Sequence, residues 1–338
     1  MKAFLVIQTA FAGDLILTLP LAQEIRRLFP GCGVDVLCIP ETAALLSNHP
    51  AISTAITYDK RGGTDSVVAV ARRLRRKRYD VVVSPHRSFR SALLAFASGA
   101  PVRISFDRSS GSALYTHTVP YAARMHEIRR VISLLTPLRP DVDYDCAPRL
   151  YPADEDRGTA ARLLARLPPG CGQICIAPGS VWATKRYTRE GFARVARALL
   201  DEYCVVLMGG SSDRPICDEI ASGLPAERVL NTAGEVSYLT SASLIGHSRL
   251  LISNDSAPVH MASAMGTPVV EIFGATSPEF GFTPFNVPYE VVQMENLPCK
   301  PCRIHGGHSC PIRTFDCMNA LSHDLIIGAA RRLLDSTV

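Results

Sequence analysis

Residues 250–273 constrain the fold more than any other stretch, because a strand, a helix and a second strand follow one another there without a gap. Leu250-Leu251-Ile252 is a short apolar run, the pattern of a strand buried on both faces. Asn254-Asp255-Ser256 follows at its carboxyl end, and Pro258 sits where a first helical turn tolerates a missing N–H. Gly266-Thr267-Pro268 stops that helix, and Val269 to Phe273 is the next strand, closed by the small-residue turn Gly274-Ala275-Thr276. Strands joined through a helix run parallel, so this segment predicts an α/β protein. Open sheets of that kind take ligands at the carboxyl ends of their strands, and the helix starting there offers free N–H groups and a positive dipole end to a phosphate. His260, about one turn in, is placed to reach the same anion. The alternative is that Asp255 or Ser256 simply caps the helix.

The same alternation recurs along the chain. Strands are predicted at 3–7, 34–38, 81–84 and 102–105, and again at 174–177, 204–208, 228–230, 250–253 and 269–273; helical periodicity falls between them at 66–78, 89–97, 190–201, 213–222 and 237–246. The break between two units falls near Pro148 to Pro152 or near Pro168-Pro169-Gly170, clusters that flank a helix at 155–166 and bracket a linker. A length of 338 residues is long for one core and comfortable for two domains. The expected architecture is therefore α/β, with two Rossmann-like doubly wound domains facing each other across a central cleft.

Composition narrows the function classes. No apolar run is long enough to span a bilayer, and Gly13-Asp14 interrupts the only candidate leader, so a cytoplasmic location is expected. Eleven cysteines in a chain of this size without a leader read as reduced thiols, with Cys38, Cys175 and Cys204 serving as small core residues. The formal net charge of +5 is divided unevenly, +8 over residues 1–150 and −3 over the rest. Much of the excess lies in Arg72 to Arg78, which is either a solvated helix face or a docking surface for an anionic membrane or phosphorylated acceptor. No interleaved aromatics accompany it, which argues against nucleic acid.

Two further motifs join the first. Phe4-Leu5-Val6-Ile7 runs into Gln8 to Asp14 and then an amphipathic stretch from Ile16 to Phe29; Ala177-Pro178-Gly179-Ser180 is followed by Lys185-Arg186-Tyr187. With residues 253–278 these resemble, in order and over roughly the whole chain, glycosyltransferase family 9, which contains the lipopolysaccharide heptosyltransferases. The tail, Cys299-x-x-Cys302 with Cys310 and Cys317, is similar to the heptosyltransferase II branch. The resemblance implies a GT-B fold, with residues 1–165 as acceptor domain, 170–320 as nucleotide-sugar domain, and a helix at 321–338 packing back on the first. It also implies an inverting, metal-independent enzyme that moves a heptose from ADP-heptose to the phosphorylated inner core of lipopolysaccharide, peripherally bound to the anionic inner membrane on its cytoplasmic face.

Glycosyl transfer needs a base for the acceptor hydroxyl and positive charge for the departing diphosphate. Asp14, after the flexible Gly13, is the candidate base; its other reading is an N-cap for a helix beginning near Leu15. Lys185 is the candidate counter-charge, with Ser180 and Thr184 beside it and Asn254, Asp255, Ser256, Ala257 and His260 completing the phosphate and sugar contacts. As a loop lysine it is expected to matter little for stability. Family matching places Met208, Gly209 and Glu235 at the nucleoside, and Gly13, Arg61, Arg87 and Arg90 at the acceptor. No Asp-x-Asp lies between strand and helix to hold a divalent cation, so no metal or other cofactor is expected. The tail cysteines admit a zinc site, a loop of reduced thiols or a disulfide. A transferase for another nucleotide sugar and a non-catalytic nucleotide-sugar-binding protein remain as alternatives; a dehydrogenase would need Gly-x-Gly-x-x-Gly where Gln8 to Asp14 holds one glycine.

Overall fold

The computed structural model describes residues 2–60 and 63–336. Six strands in the first half form one parallel sheet: β1 (Ala3–Ile7), β2 (Gly33–Cys38), β3 (Thr54–Thr57), β4 (Val81–Ser84), β5 (Val102–Phe106) and β6 (His117–Val119), in the order β3-β2-β1-β4-β5-β6. Its helices are α1 (Ala12–Leu28), α2 (Gly63–Lys77), α3 (Phe89–Ala97) and α4 (Glu127–Ser133). β3 and β6 went unpredicted because their sequences, Thr-Ala-Ile-Thr and His-Thr-Val, lie on sheet edges where little apolar character is demanded.

The second half repeats the plan. After α5 (Asp154–Leu164) come β7 (Gly172–Ala177), α6 (Arg189–Leu199), β8 (Tyr203–Leu207), α7 (Arg214–Ala221), β9 (Val229–Asn231), α8 (Tyr238–Gly246), β10 (Leu250–Asn254), α9 (Ala257–Met265), β11 (Val269–Phe273) and β12 (Tyr289–Gln293). The strands are again parallel, in the order β12-β11-β10-β7-β8-β9. Two helices, α10 (Asp316–Asn319) and α11 (His323–Ser336), end the chain. Each sheet reverses its winding once, between β1 and β4 in the first and between β7 and β10 in the second. Such a switch point splays the flanking loops and opens a crevice at the carboxyl ends of the strands, the place where doubly wound sheets hold ligands.

Two of the expected boundaries shift. The chain divides into compact units between Tyr151 and Pro152, at the first of the two proline clusters and ahead of α5, rather than at the 165–170 boundary that the resemblance implied. The reason is tertiary: α5 packs on α8, and Asp156 accepts hydrogen bonds from Ser237 (2.8 Å) and Thr240 (2.7 Å). The terminal helix, expected to return to the first unit, belongs to the second. Ile326, Ala329, Ala330, Leu333 and Leu334 of α11 are buried in one core with Ile174, Ile252 and Ile272. By the area rule each such side chain contributes about 1.5–3 kcal/mol when aliphatic and large, so the helix is integral to that unit.

Cysteine usage is also corrected at one position. Cys38 and Cys175 are free and buried as expected, but Cys204 is joined to Cys171 by a disulfide between the start of β8 and the residue preceding β7.

Candidate functional site

In the second unit the carboxyl ends of β7 and β10 carry a buried ion pair. Lys185 Nζ lies 2.6 Å from Asp255 Oδ2 with side chains only 12% and 8% exposed, and it also donates to the Asp255 backbone oxygen at 3.3 Å. Asp255 Oδ2 accepts a second hydrogen bond from Thr276 Oγ1 at 2.7 Å. Two of the three ammonium N–H groups are thus occupied, leaving one for a ligand.

Behind the pair stands a group that residue patterns did not single out. Glu271 in β11 is completely buried, and neither carboxylate oxygen has a hydrogen-bond partner. Burial, reinforced by the negative charge of Asp255 and opposed by Lys185, pushes its carboxyl well above the usual range. The signal was visible: a lone acid in Val-Val-Glu-Ile-Phe has no reason to lie in a doubly covered strand unless its environment neutralises it.

Around this centre the other donor-site candidates divide. Ser256 occupies the N-cap position of α9 in extended backbone, yet makes no side-chain cap bond, its hydroxyl donating instead to the Asn254 backbone oxygen (3.2 Å). The simple capping reading therefore fails, and the Ala257 N–H at the start of α9 is not covered by that side chain; Pro258 has no N–H, and the Val259 N–H donates to the Ser256 oxygen (3.1 Å). His260 is buried on the same helix. Ser180 is buried at the end of β7, and its hydroxyl accepts from the Trp182 N–H (3.3 Å).

Asn254 and Thr184 are engaged by backbone groups of neighbouring segments. The Asn254 amide donates to the Pro178 oxygen (2.8 Å) and accepts from the Tyr187 N–H (3.0 Å), tying both ends of the Lys185 loop to β10. The Thr184 hydroxyl donates to the Gly307 oxygen (3.1 Å) and accepts from the Gly307 N–H (2.8 Å), so it has no proton left for a phosphate. Through those bonds, and through the packing of Trp182 on His308 at 4.9 Å, the cysteine-rich tail buttresses the lysine loop from behind. Cys299, Cys302, Cys310 and Cys317 are free thiols, and among the described residues no group of three or more His, Cys, Asp or Glu side chains has a metal-holding arrangement.

At the end of β8, Met208 is buried and Gly209 leads into a turn pinned by Asp213, whose Oδ2 accepts from the Gly210 N–H at 2.9 Å. A Cβ on Gly209 would lie 2.6 Å from the Asp213 Cβ, and one on Gly179 in the neighbouring loop would displace the Asp213 carboxylate, so both glycines make room for that side chain. Glu235 is exposed and ion-paired with Arg214, which also binds Asp218 at 3.0 Å.

The first unit carries its own polar edge at the β1/β4 switch. Asp14 lies within the first turn of α1, not at its N-cap, which is Phe11 without a side-chain bond; the capping alternative is therefore excluded. Gly13 beside it is buried. A carboxylate in this turn is favoured by the helix dipole. Thr9 and Ser91 contact His86 Nδ1 at 2.9 and 3.0 Å, and burial, with Lys60 and Arg87 adding to it, drives that imidazole down to about 4. His86 is thus neutral at pH 7.

Arg87 stacks on the Tyr121 ring at 4.1 Å, and Arg130 lies over the same ring at 4.6 Å. Arg130 is fully buried, its guanidinium satisfied by the Ala122, Ala123 and Met125 oxygens, the Tyr121 hydroxyl and Glu127. Burial raises Glu127 to about 7 against the pull of Arg130, with Asp14 adding to the rise. Arg90 is exposed and donates to the Lys60 oxygen at 3.4 Å, and burial with the Arg90 charge lowers Lys60. Arg61 lies outside the described residues.

Two parallel, doubly wound six-stranded sheets with charged loops at their switch points constitute a GT-B type fold, and the protein is a glycosyltransferase. A family model confirms this at the level of sequence: the chain belongs to glycosyltransferase family 9 (heptosyltransferase), matched over residues 67–308. Lipopolysaccharide heptosyltransferase 3 of Escherichia coli is 31% identical over 283 residues, 80% of this chain and 82% of that one. Among solved structures, a family 9 glycosyl transferase from Veillonella parvula superposes with a TM-score of 0.88 at 22% identity over 99% and 98% of the two chains. The ADP-heptose lipopolysaccharide heptosyltransferase II of E. coli does so with a TM-score of 0.82 at 24% identity over 100% and 99%.

Proposed function

We propose that the protein transfers a heptose from ADP-heptose to the inner core of lipopolysaccharide by an inverting, metal-independent displacement at the cytoplasmic face of the inner membrane. Family membership and the heptosyltransferase relatives support heptose transfer in lipopolysaccharide core synthesis. The single observation that carries the chemistry is the Lys185–Asp255 pair beside the start of α9, since it supplies cationic and dipolar charge together at one switch point.

In this reading the acceptor hydroxyl attacks the anomeric carbon, the bond from that carbon to the diphosphate oxygen breaks, and ADP departs with the electron pair. Asp14 takes the hydroxyl proton as general base. One displacement inverts the anomeric centre. Negative charge developing on the diphosphate meets the remaining N–H of Lys185, the backbone N–H of Ala257 and the positive dipole end of α9, the role a divalent cation plays elsewhere. Asp255 aims the ammonium, and Ser180, Ser256 and His260 line the phosphate and sugar side. Met208, Gly209 and Glu235 receive the nucleoside; Gly13, Arg61, Arg87 and Arg90 receive the phosphorylated acceptor. Association with the anionic membrane surface follows from the basic first half, and among the described residues no helix is long and apolar enough to cross a membrane.

Donor screening tests the proposal. Purified enzyme is incubated with ADP-heptose, other nucleotide sugars and truncated lipopolysaccharide, with and without EDTA, and the lipid product is weighed by mass spectrometry and its anomeric configuration read by NMR. A heptose-sized mass gain that survives EDTA and carries the inverted configuration is expected. Transfer from a different nucleotide sugar alone, retention of configuration, or loss of transfer on chelation refutes the corresponding part.

A further inference from the structure

We propose that the outer face of α2 and α3 is a bilayer-docking surface, on which Phe89, Leu93 and Phe96 enter the interface of an anionic membrane while the cations of α2 meet lipid phosphates. The inference rests on the reading that the acceptor is lipid-linked, and names the surface that approaches it.

Helix α3 is apolar on both sides. Ala92, Leu94 and Ala95 are buried in the core with Leu5, Val82 and Leu74 of α2. Phe89, Leu93 and Phe96 follow one another at i, i+4 and i+7, which places them in one stripe, and they are 59%, 38% and 53% exposed. Val68 of the adjoining α2 is also exposed. A helix on a soluble surface normally keeps its outward face polar, and single exposed apolar residues are ordinary, but a stripe of three with two phenylalanines on so short a helix marks an interaction site.

Charge selects the partner. Arg72, Arg73, Arg75, Arg76, Lys77 and Arg78 are exposed on and just beyond α2, which packs alongside α3, and α3 itself contains no acid. Lys77 is drawn to Asp35 at 3.1 Å, which leaves the run of five arginines to set the charge of this face. Where the two helices end, a cavity of about 390 Å³ is lined by Arg75 and Arg78 with Ser98 and Gly99. Asp80, which also lines it, has one carboxylate oxygen held by the Ala3 N–H at 2.7 Å. This cavity gives a headgroup phosphate room beside two guanidinium groups.

Aromatic and aliphatic side chains at the acyl boundary, with cations at the phosphate plane, are what a helix lying in an anionic interface presents. A second copy of the chain fits less well, because a two-fold contact through this face would set two basic α2 surfaces against each other.

The test uses the full-length protein with Trp182→Phe and Phe96→Trp, so that one indole reports on the stripe. Vesicles of phosphatidylethanolamine and phosphatidylglycerol, with brominated acyl chains in a fraction of the lipid, are compared with phosphatidylcholine vesicles. A blue shift and bromine quenching on the anionic vesicles, weakened by salt, are expected. In parallel, Phe89→Ser/Leu93→Ser/Phe96→Ser should lower the vesicle partition coefficient by about tenfold or more. Its thermal unfolding and its transfer to a soluble, delipidated core oligosaccharide should match wild type. Vesicle binding without quenching, or wild-type binding by the triple variant, overturns the proposal. So does a wild-type dimer in sedimentation that the triple variant dissolves, since the stripe then serves a second copy. Failure of the wild type on the soluble oligosaccharide would instead count against the transfer reading and leave the vesicle result to stand by itself.

Discussion

Replacing Lys185 by Ala strands the Asp255 carboxylate in a site where it is 8% exposed. Removing one partner of a buried pair typically costs about 3–5 kcal/mol, because the other charge stays desolvated and uncompensated. Here the loss is softened, since Asp255 keeps the Thr276 hydroxyl at 2.7 Å. A hydrogen bond to a charged group retains about 1.5–3 kcal/mol, which places the expected destabilisation near the lower bound, about 3 kcal/mol. For a unit the size of Pro152–Val338 that corresponds to a fall in Tm of about 6–12 °C. The expectation from sequence, that this loop lysine hardly affects stability, is thereby reversed. The assay is a thermal cycle of wild type, Lys185→Ala, Asp255→Asn and the double variant, following the transition that belongs to the second unit. A coupling energy of about 2 kcal/mol or more is expected, with the double variant more stable than Lys185→Ala. A Tm for Lys185→Ala within about 1 °C of wild type, or a strictly additive cycle, would show that the pair is solvated in solution and refute the reasoning. ADP titration on the same variant should show weaker binding by about 1.5–3 kcal/mol, the worth of one charge-assisted hydrogen bond.

Asp14→Asn should reduce kcat by about 10²–10⁴-fold while ADP binding stays unchanged, and a kcat within a few-fold of wild type would remove Asp14 as base. Glu271→Gln tests the raised carboxyl: a raised native pKa means the unfolded chain releases a proton that the folded one keeps, so wild-type stability falls as pH rises above the ordinary carboxyl range. The variant should therefore gain in Tm over wild type towards pH 8 and lose that advantage towards pH 4; a constant difference across the range would show Glu271 to be ionised in the fold. Thr184→Val, which breaks the clamp on Gly307, should cost about 1–3 kcal/mol of stability yet leave the affinity for ADP within about threefold, whereas a large loss of affinity with unchanged Tm would restore Thr184 as a ligand contact.

Strands buried on both faces were legible because continuous apolar runs such as Val81–Ser84 and Leu250–Asn254 have few other uses. The edge strands β3, β6 and β12 were not, and neither was α4, whose seven residues sit in a stretch of arginines and a glutamate that reads as surface until Arg130 is seen to be buried. Within the site, residue type and loop position picked out Lys185 and Asp255 but could not say that they bind one another across 70 residues. Nor could they separate Ser256, which leaves the helix start uncapped, from Asn254, whose amide is consumed by two backbone groups. Hydrogen-bond capacity is local chemistry; how it is spent depends on which backbone arrives opposite.

The family and the α/β architecture were determined by the sequence alone, because strand–turn–helix punctuation and the Gly13-Asp14, Lys185 and Asp255 turns are short-range features that every folded form must honour. The choice of unit boundary, the allegiance of α11, the Cys171–Cys204 bond, the buttressing tail and the raised carboxyl of Glu271 were decided only by tertiary structure. Each depends on burial or on a partner many residues away, and desolvation is a property of the surroundings that no residue carries by itself.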